Sequence, residues 1–136
     1  MTDAAATAVL TIAVPNATHS GVLKLTVFGV LGAGGGVGAS ESSHTITQDI
    51  AFTRVTDAVL VATQSTSYHS AIATVGAGAT ATTAVSVPTI SGAADAAETI
   101  TIRCTITKSA GASDNHTLTV IGELLSMNAG LSIAAA

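Results

Sequence analysis

The sequence predicts a single all-β domain, a β-sandwich or jelly-roll-like fold of about eight antiparallel strands. Three observations lead to this prediction. Several stretches alternate apolar and hydroxyl-bearing residues with period two, which is the pattern of a half-buried strand. Turn-forming residues interrupt these stretches at intervals of roughly 8–14 residues, as in sandwiches built from short strands. Apolar residues at helical spacing are nearly absent, and 136 residues suit one domain with one core.

The first two strands are predicted at residues 8–14 and 22–31, separated by a cluster of turn-forming residues. Apolar residues alternate along both strands and define an inner face. Phe28 and Val30 fall on the opposite face of the second strand. We therefore expect the far half of this strand to be covered on both sides.

Four shorter strands are predicted in the middle of the chain, at 45–53, 58–62, 67–75 and 80–89. The second of these, AVLVA, is a continuous apolar run and is expected to be a fully buried strand. Two stretches rich in glycine, alanine, serine and threonine, 32–43 and 76–83, are predicted to be flexible loops.

The last third of the chain shows the most regular alternation. In Glu98–Lys108 four apolar residues alternate with four threonines and an arginine. Turn-forming residues follow at 109–115, and residues 116–125 then alternate again. Together they predict a long antiparallel hairpin.

The domain is expected to span residues 1–136, with its ends, 1–7 and 128–136, as flexible arms. The first five residues lack the basic segment that opens a secretory signal peptide. Synthesis and assembly in a cytoplasm are therefore expected.

Charged residues are scarce, at 9% of the chain against roughly 25% in ordinary soluble domains. Only four lysines and arginines occur, and the net charge is −4. Nucleic acid is therefore excluded as an expected partner, because duplex binding needs several clustered cations. No apolar run approaches the roughly 18 residues of a membrane span, so no membrane partner is expected either.

The glycine-rich stretch 32–38 follows a predicted strand, a position in which glycines can cradle phosphate. Its glycines do not give G-x-G-x-x-G in any register, and no lysine follows them. We interpret this stretch as a loop and predict no bound cofactor.

Cys104 is the only cysteine and lies on the apolar face of its strand, where it is expected to be a buried filler. The four histidines (His19, His44, His69 and His116) lack the close pairing of zinc ligands, so no metal site is predicted. His19, His44 and His116 are expected to be solvated in or beside turns, and His69 to lie in a strand.

No serine occupies a G-x-S-x-G elbow, and the aspartates are spread over different segments. No catalytic residue is predicted, and the protein is not expected to be an enzyme. Two N-x-[ST] sequons, at Asn16 and Asn115, are interpreted as chance matches in a threonine-rich chain.

A small surface with so few charges exposes apolar patches, which monomers usually avoid. Val9, Phe28, Val30 and Ile121 are apolar residues predicted on the outer side of alternating strands. These four are the candidate subunit interface. The sequence therefore predicts a stable homo-oligomer, and a trimer is the expected form.

Residues 52–64 (FTRVTDAVLVATQ) and 98–127 (ETITIRCTITKSAGASDNHTLTVIGELLSM) resemble small virion proteins of tailed bacteriophages. The chain is most similar to the capsid decoration, or cement, proteins that sit as trimers on the head. The resemblance implies a structural role on the capsid surface, with the major capsid protein as partner and with head stabilisation as the effect. It carries no individual functional residue.

Two other classes of function stay open. One is another virion component, such as a tail-tube or head-fibre subunit. The other is a non-enzymatic sugar- or surface-binding sandwich module, which the scarcity of aromatic residues disfavours because such modules stack ligands on aromatic rings.

Overall fold

The computed structural model of the chain describes residues 6–32, 41–66, 69–75, 81–108, 115–128 and 130–136. Within these residues the strands are β1 (Thr7–Val14), β2 (His19–Gly32), β3 (Glu41–Arg54), β4 (Val61–Gln64), β5 (His69–Val75), β6 (Ala81–Val85), β7 (Thr89–Ser91), β8 (Glu98–Lys108), β9 (Asn115–Ser126) and β10 (Ser132–Ala135). Each of their pairings is antiparallel. The predicted all-β sandwich is confirmed.

The strands form two sheets. In the first sheet β1 pairs with β8, β10 lies on the other side of β1, and β6 and β7 follow one another along the other side of β8. In the second sheet β2 lies between β3 and β9, and β4 and β5 pair with successive parts of β3. The shortest strands therefore lie at the edges.

The chain passes from the first sheet to the second between β1 and β2, and again between β8 and β9. Since β1 pairs with β8 and β2 with β9, these two crossings interlock the sheets. The predicted hairpin of Glu98–Lys108 with 116–125 is therefore wrong. Turn-forming residues indicate that the chain reverses, but not whether it returns within the same sheet or crosses to the facing one.

The core lies between the sheets and consists of alternate side chains of the long strands together with Leu60 from the β3–β4 connection. Period-two alternation places these side chains on one face of each strand, where apolar area is removed from water. The fully buried members are Ile12, Val14, Leu23, Leu25, Val27, Ile50, Leu60, Ile100, Ile102 and Cys104.

Gly122 on β9 allows the edge of the first sheet to pack closely against the second. A Cβ atom at this position would lie 2.8 Å from Cδ1 of Ile133 on β10 and 2.9 Å from Cδ1 of Leu10 on β1. Both atoms end flexible side chains, which would have to move to admit a methyl group here. The glycine therefore serves the contact between sheets.

The apolar run 58–62 is not the fully buried strand that the sequence predicts. Val59 and Val61 are 64% and 58% exposed, and only Leu60 between them is fully buried. The reason is that Val61 opens β4, an edge strand with one covered face. A continuous apolar run does not by itself require cover on both sides.

Part of the predicted C-terminal arm, 128–136, is strand β10, whose residues are exposed but whose backbone pairs with β1. The amide of Ala136 also donates to the carbonyl of Val9 at 3.2 Å. This segment is therefore tied to the first sheet. Of the predicted N-terminal arm, residues 1–5 lie outside the described residues and Thr7 already belongs to β1.

The described part of the chain contains no helix of the length and hydropathy needed to cross a membrane.

Candidate functional site

A buried ion pair joins the two sheets at one end of the sandwich. Arg54, the last residue of β3, and Glu98, the first of β8, are both buried, with Arg54 Nε 3.4 Å from Glu98 Oε2. The same carboxylate oxygen accepts a hydrogen bond from the amide of Leu60 at 2.8 Å. Two charges can be held out of water here because each meets the other and further polar partners.

The guanidinium of Arg54 binds the three loops at this end of the fold. It donates at 2.6–3.2 Å to the carbonyls of Val14, Pro15, Ala58, Ala94 and Ala96 and to Oδ1 of Asn16. Val14 ends β1, and the other acceptors belong to the β1–β2, β3–β4 and β7–β8 connections. One side chain thus fixes three loops in relation to each other.

Asn16 extends the same network. Its Nδ2 donates to Oδ1 of Asp57 at 2.7 Å and to the carbonyl of Asp95 at 3.0 Å, and its Oδ1 accepts from the amide of Asp57 at 2.9 Å. Asp57 has φ +59°, a left-handed conformation that aspartate adopts more readily than most residues. The Asn16 sequon therefore lies in a structural network.

Sequence reasoning missed this network, although the sequence carries a signal for it. Arg54 follows Ile50 and Phe52 at steps of two residues, so it points to the same buried face of β3. Glu98 stands in the same relation to Ile100 on β8. Opposite charges on the inward positions of two strands indicate a buried pair. The guanidinium faces loop carbonyls and the carboxylate, and the carboxylate also accepts from the Leu60 amide, so the arrangement stabilises the fold.

Two of the histidines differ from their predicted positions. His19 and His44 are buried, whereas solvated positions were expected, because both belong to long strands and have inward parity. The ring of His44 lies over Gly29, where a Cβ atom would come within 2.0 Å of Nε2, and Nε2 contacts the hydroxyl of Thr83 on the facing sheet. The side chains of His69 and His116 lie outside the described residues.

Cys104 is fully buried, as predicted. Desolvation by burial raises the pKa of its thiol to about 11. At neutral pH the group is a thiol, which is a poor nucleophile. Among the described residues no group of three or more histidine, cysteine, aspartate or glutamate side chains is placed to hold a metal ion.

The outer face of the second sheet carries exposed apolar side chains. Phe28 on β2 is 45% exposed, and Ile121 on the neighbouring β9 is 62% exposed. Leu125, also on β9, is exposed opposite Val22. The register places Lys24 between Glu123 and Asp49, so one row of charges crosses an otherwise apolar and threonine-bearing face.

The four candidate interface residues do not share one position. Phe28 and Ile121 lie on this outer face. Val9 lies at a bulge in the β1–β8 pairing and packs partly against the core, so it does not belong to an outer apolar face. The side chain of Val30 lies outside the described residues, as does the stretch 33–38 of the glycine-rich loop.

A depression of about 420 Å³ borders the same face, with Val22, Phe52, Leu125 and Met127 among its walls. Its lining is mainly apolar, and Met127 is almost fully exposed at its rim. Such a surface fits contact with another macromolecule better than polar chemistry on a small molecule.

Comparison of the chain with protein-family models, with curated proteins and with solved structures gives no match.

Proposed function

We propose that this protein is a structural, non-enzymatic virion subunit, a capsid decoration protein that binds the major capsid protein lattice and stabilises the head. The observation that carries the proposal is the outer face of the second sheet, where Phe28, Ile121 and Leu125 are exposed on two adjacent strands. Apolar area of this kind favours cover by another protein. The resemblance of residues 52–64 and 98–127 to decoration proteins indicates which kind of protein that is.

The scarcity of surface charge supports the same proposal. The chain has four basic and eight acidic side chains, and Arg54 and Glu98 are withdrawn into the interior. A surface with so few charges provides little electrostatic repulsion against association with neighbouring subunits. We therefore propose that the protein acts as a homo-oligomer on the capsid surface, after assembly in the host cytoplasm. The trimer expected from the sequence stays a prediction.

The polar groups inside the fold support a structural role as well. Arg54, Glu98 and Asn16 are used to hold three loops, and Cys104 is an inert thiol at neutral pH. The proposal assigns no catalytic residue, cofactor or metal to the protein. The outer face is the proposed binding surface.

The direct test is binding of the purified protein to mature capsids that lack this subunit, measured by co-sedimentation. We expect wild-type protein to bind and Phe28→Ser to weaken binding by about 10–150-fold, since burial of a phenylalanine is worth roughly 1.5–3 kcal/mol. Val87→Ser is the matched control, because Val87 is 71% exposed in the β6–β7 connection, outside the proposed surface. It is expected to bind as wild type does.

Failure of wild-type protein to bind such capsids would refute the proposal. Rings or tubes in negative-stain images of the protein alone would instead favour a tail-tube subunit. Specific binding to a glycan array would favour the sugar-binding module. Phe28 offers such a module one exposed ring among the described residues, since Phe52 is buried and Tyr68 lies outside them.

A further inference from the structure

Strand β9 leaves one long side open. It has 12 residues and pairs with β2 on one side, while no strand of the described residues pairs with its other side. The remaining edge strands have 3–7 residues. An open edge of this length presents a row of unpaired backbone groups that readily accepts another strand.

The devices that usually protect an edge are missing from β9. Asn115–Ser126 contains no proline and no lysine, and its register with β2 runs without a shift. Its one charged side chain, Glu123, lies on the outer face beside Lys24. Natural proteins blunt exposed edges with short strands, lysine, proline or bulges. The absence of all four from this long edge favours its pairing with a strand of another chain.

The backbone groups that point outward along β9 can be identified. The amide of Met127 donates to the carbonyl of Ser20 at 3.4 Å, so residue 127 directs its hydrogen-bonding groups towards β2. Because these directions alternate in an antiparallel ladder, the odd-numbered residues of β9 also face β2. The even-numbered residues, including Val120 and Gly122, direct their amides and carbonyls to the open edge.

We infer that two copies of this chain pair antiparallel along β9, with a two-fold axis at Ile121, and form one continuous sheet across the dimer. In this register Val120 of each copy pairs with Gly122 of the other, and Leu118 pairs with Leu124. The ladder between Leu118 and Leu124 gives about eight hydrogen bonds, two for each facing pair of even-numbered residues. The occupant of the edge is a second β9, because among the described strands β9 is the long strand that also has an open edge.

The register follows from the side chains on the outer face. A two-fold axis at Glu123 would set two carboxylates against each other, which is unfavourable. An axis at Ile121 instead sets the two exposed isoleucines together and places Glu123 opposite Thr119. An axis at Val120 pairs as many residues but leaves Ile121 opposite Thr119. Burial of the apolar pair therefore favours the axis at Ile121.

The first sheet does not obstruct the pairing of two β9 strands. Its edge on the same side is β10, whose residues are Ser132, Ile133, Ala134 and Ala135. Ile133 reaches under Gly122, so β10 and β9 lie on the same side of the sandwich. Strand β10 carries no charged side chain and three small ones, so the two copies of this edge can face each other across the axis.

The first test is the mass of the free protein in solution, measured by light scattering and sedimentation equilibrium. We expect twice the 13.2 kDa chain mass for wild type. Ile121→Lys places two ammonium groups together at the axis and is expected to raise the dissociation constant at least about tenfold. Val61→Lys is the matched control, because Val61 is similarly exposed at the opposite edge of the same sheet. It is expected to leave the dimer intact.

The second test does not depend on how the lysine variants fold. Ile121→Cys brings two thiols together in a pair whose Cα atoms are about 4.5 Å apart, within disulfide range. Diamide takes up the two thiol hydrogens and an inter-chain disulfide forms, giving a covalent dimer on a non-reducing gel. Val61→Cys is expected to stay monomeric on that gel. The buried Cys104 thiol does not compete.

A monomer or trimer mass for wild type would overturn the inference. So would an Ile121→Cys variant that cross-links no faster than Val61→Cys, or an Ile121→Lys variant that dimerises as wild type does. The inferred dimer does not rest on the proposed function, and it differs from the trimer that the sequence predicts: a dimer mass favours pairing along β9, and a trimer mass favours the sequence prediction. Because no capsid is present in these experiments, failure of the dimer and failure of capsid binding are separate results.

Discussion

Replacement of Arg54 by methionine tests whether the buried network holds this end of the sandwich together. Methionine has a similar length and fills the apolar part of the site, but it donates no hydrogen bond. Glu98 is then a buried carboxylate without its cation, and the carbonyls of three loops lose their donor. The loops carrying Asn16 and Asp57 lose their common anchor.

The magnitude follows from these contacts. Removal of one partner from a buried ion pair typically costs 3–5 kcal/mol. The unfolding entropy is about 2.1 cal/mol/K per residue, which for 136 residues is about 0.29 kcal/mol/K. Arg54→Met should therefore lower Tm by about 10–17 °C. Arg103→Met is the control, since Arg103 is half-buried on the outer face of the first sheet, and we expect a loss below about 0.5 kcal/mol.

The assay is urea unfolding of wild type, Arg54→Met, Glu98→Gln and the double variant, followed by circular dichroism. Because Glu98→Gln removes the charge that Arg54→Met leaves unpaired, the double variant should lose less stability than the two single losses added together. A coupling energy of at least about 1 kcal/mol is expected. Additive losses, or an Arg54→Met variant within about 1 kcal/mol of wild type, would refute the structural role of the pair.

Two further predictions concern the core. The pKa of the Cys104 thiol is raised from 9.0 to about 11, so the unfolded chain ionises first and stability is lost between these pH values, by at most about 2–3 kcal/mol. Urea unfolding from pH 8 to 11 should show this loss in wild type beyond that in Cys104→Ala, and identical pH profiles would contradict it. Gly29→Ala should cost about 1–3 kcal/mol because the new methyl group meets the enclosed His44 ring, whereas Gly122→Ala meets only movable methyl groups and should cost less. Equal or reversed losses in thermal unfolding would show that the His44 ring yields.

The alternation in the sequence was sufficient to locate most strands and their inner faces. Glu98–Lys108 appears as β8 with the predicted bounds, and Cys104 lies on its buried face. The same alternation places Arg54, one residue beyond the predicted end of its strand, and Glu98, the first residue of the predicted β8, on inward positions. Alternation alone does not predict burial of these two residues, because charged residues are almost never fully buried unless they are paired. Their pairing becomes visible only when two strands distant in sequence are brought together.

The sequence by itself determined that this chain is all-β, which apolar faces of its long strands form the core, and that its surface is poor in charge. Period-two alternation is a local property of the chain, since each residue's face follows from that of its neighbour. Only the tertiary structure decided that β8 and β9 belong to different sheets and that His44 lies over Gly29. Strand pairing depends on contacts between residues far apart in the chain, and a turn sequence does not specify whether the next strand returns beside the last one or crosses to the facing sheet.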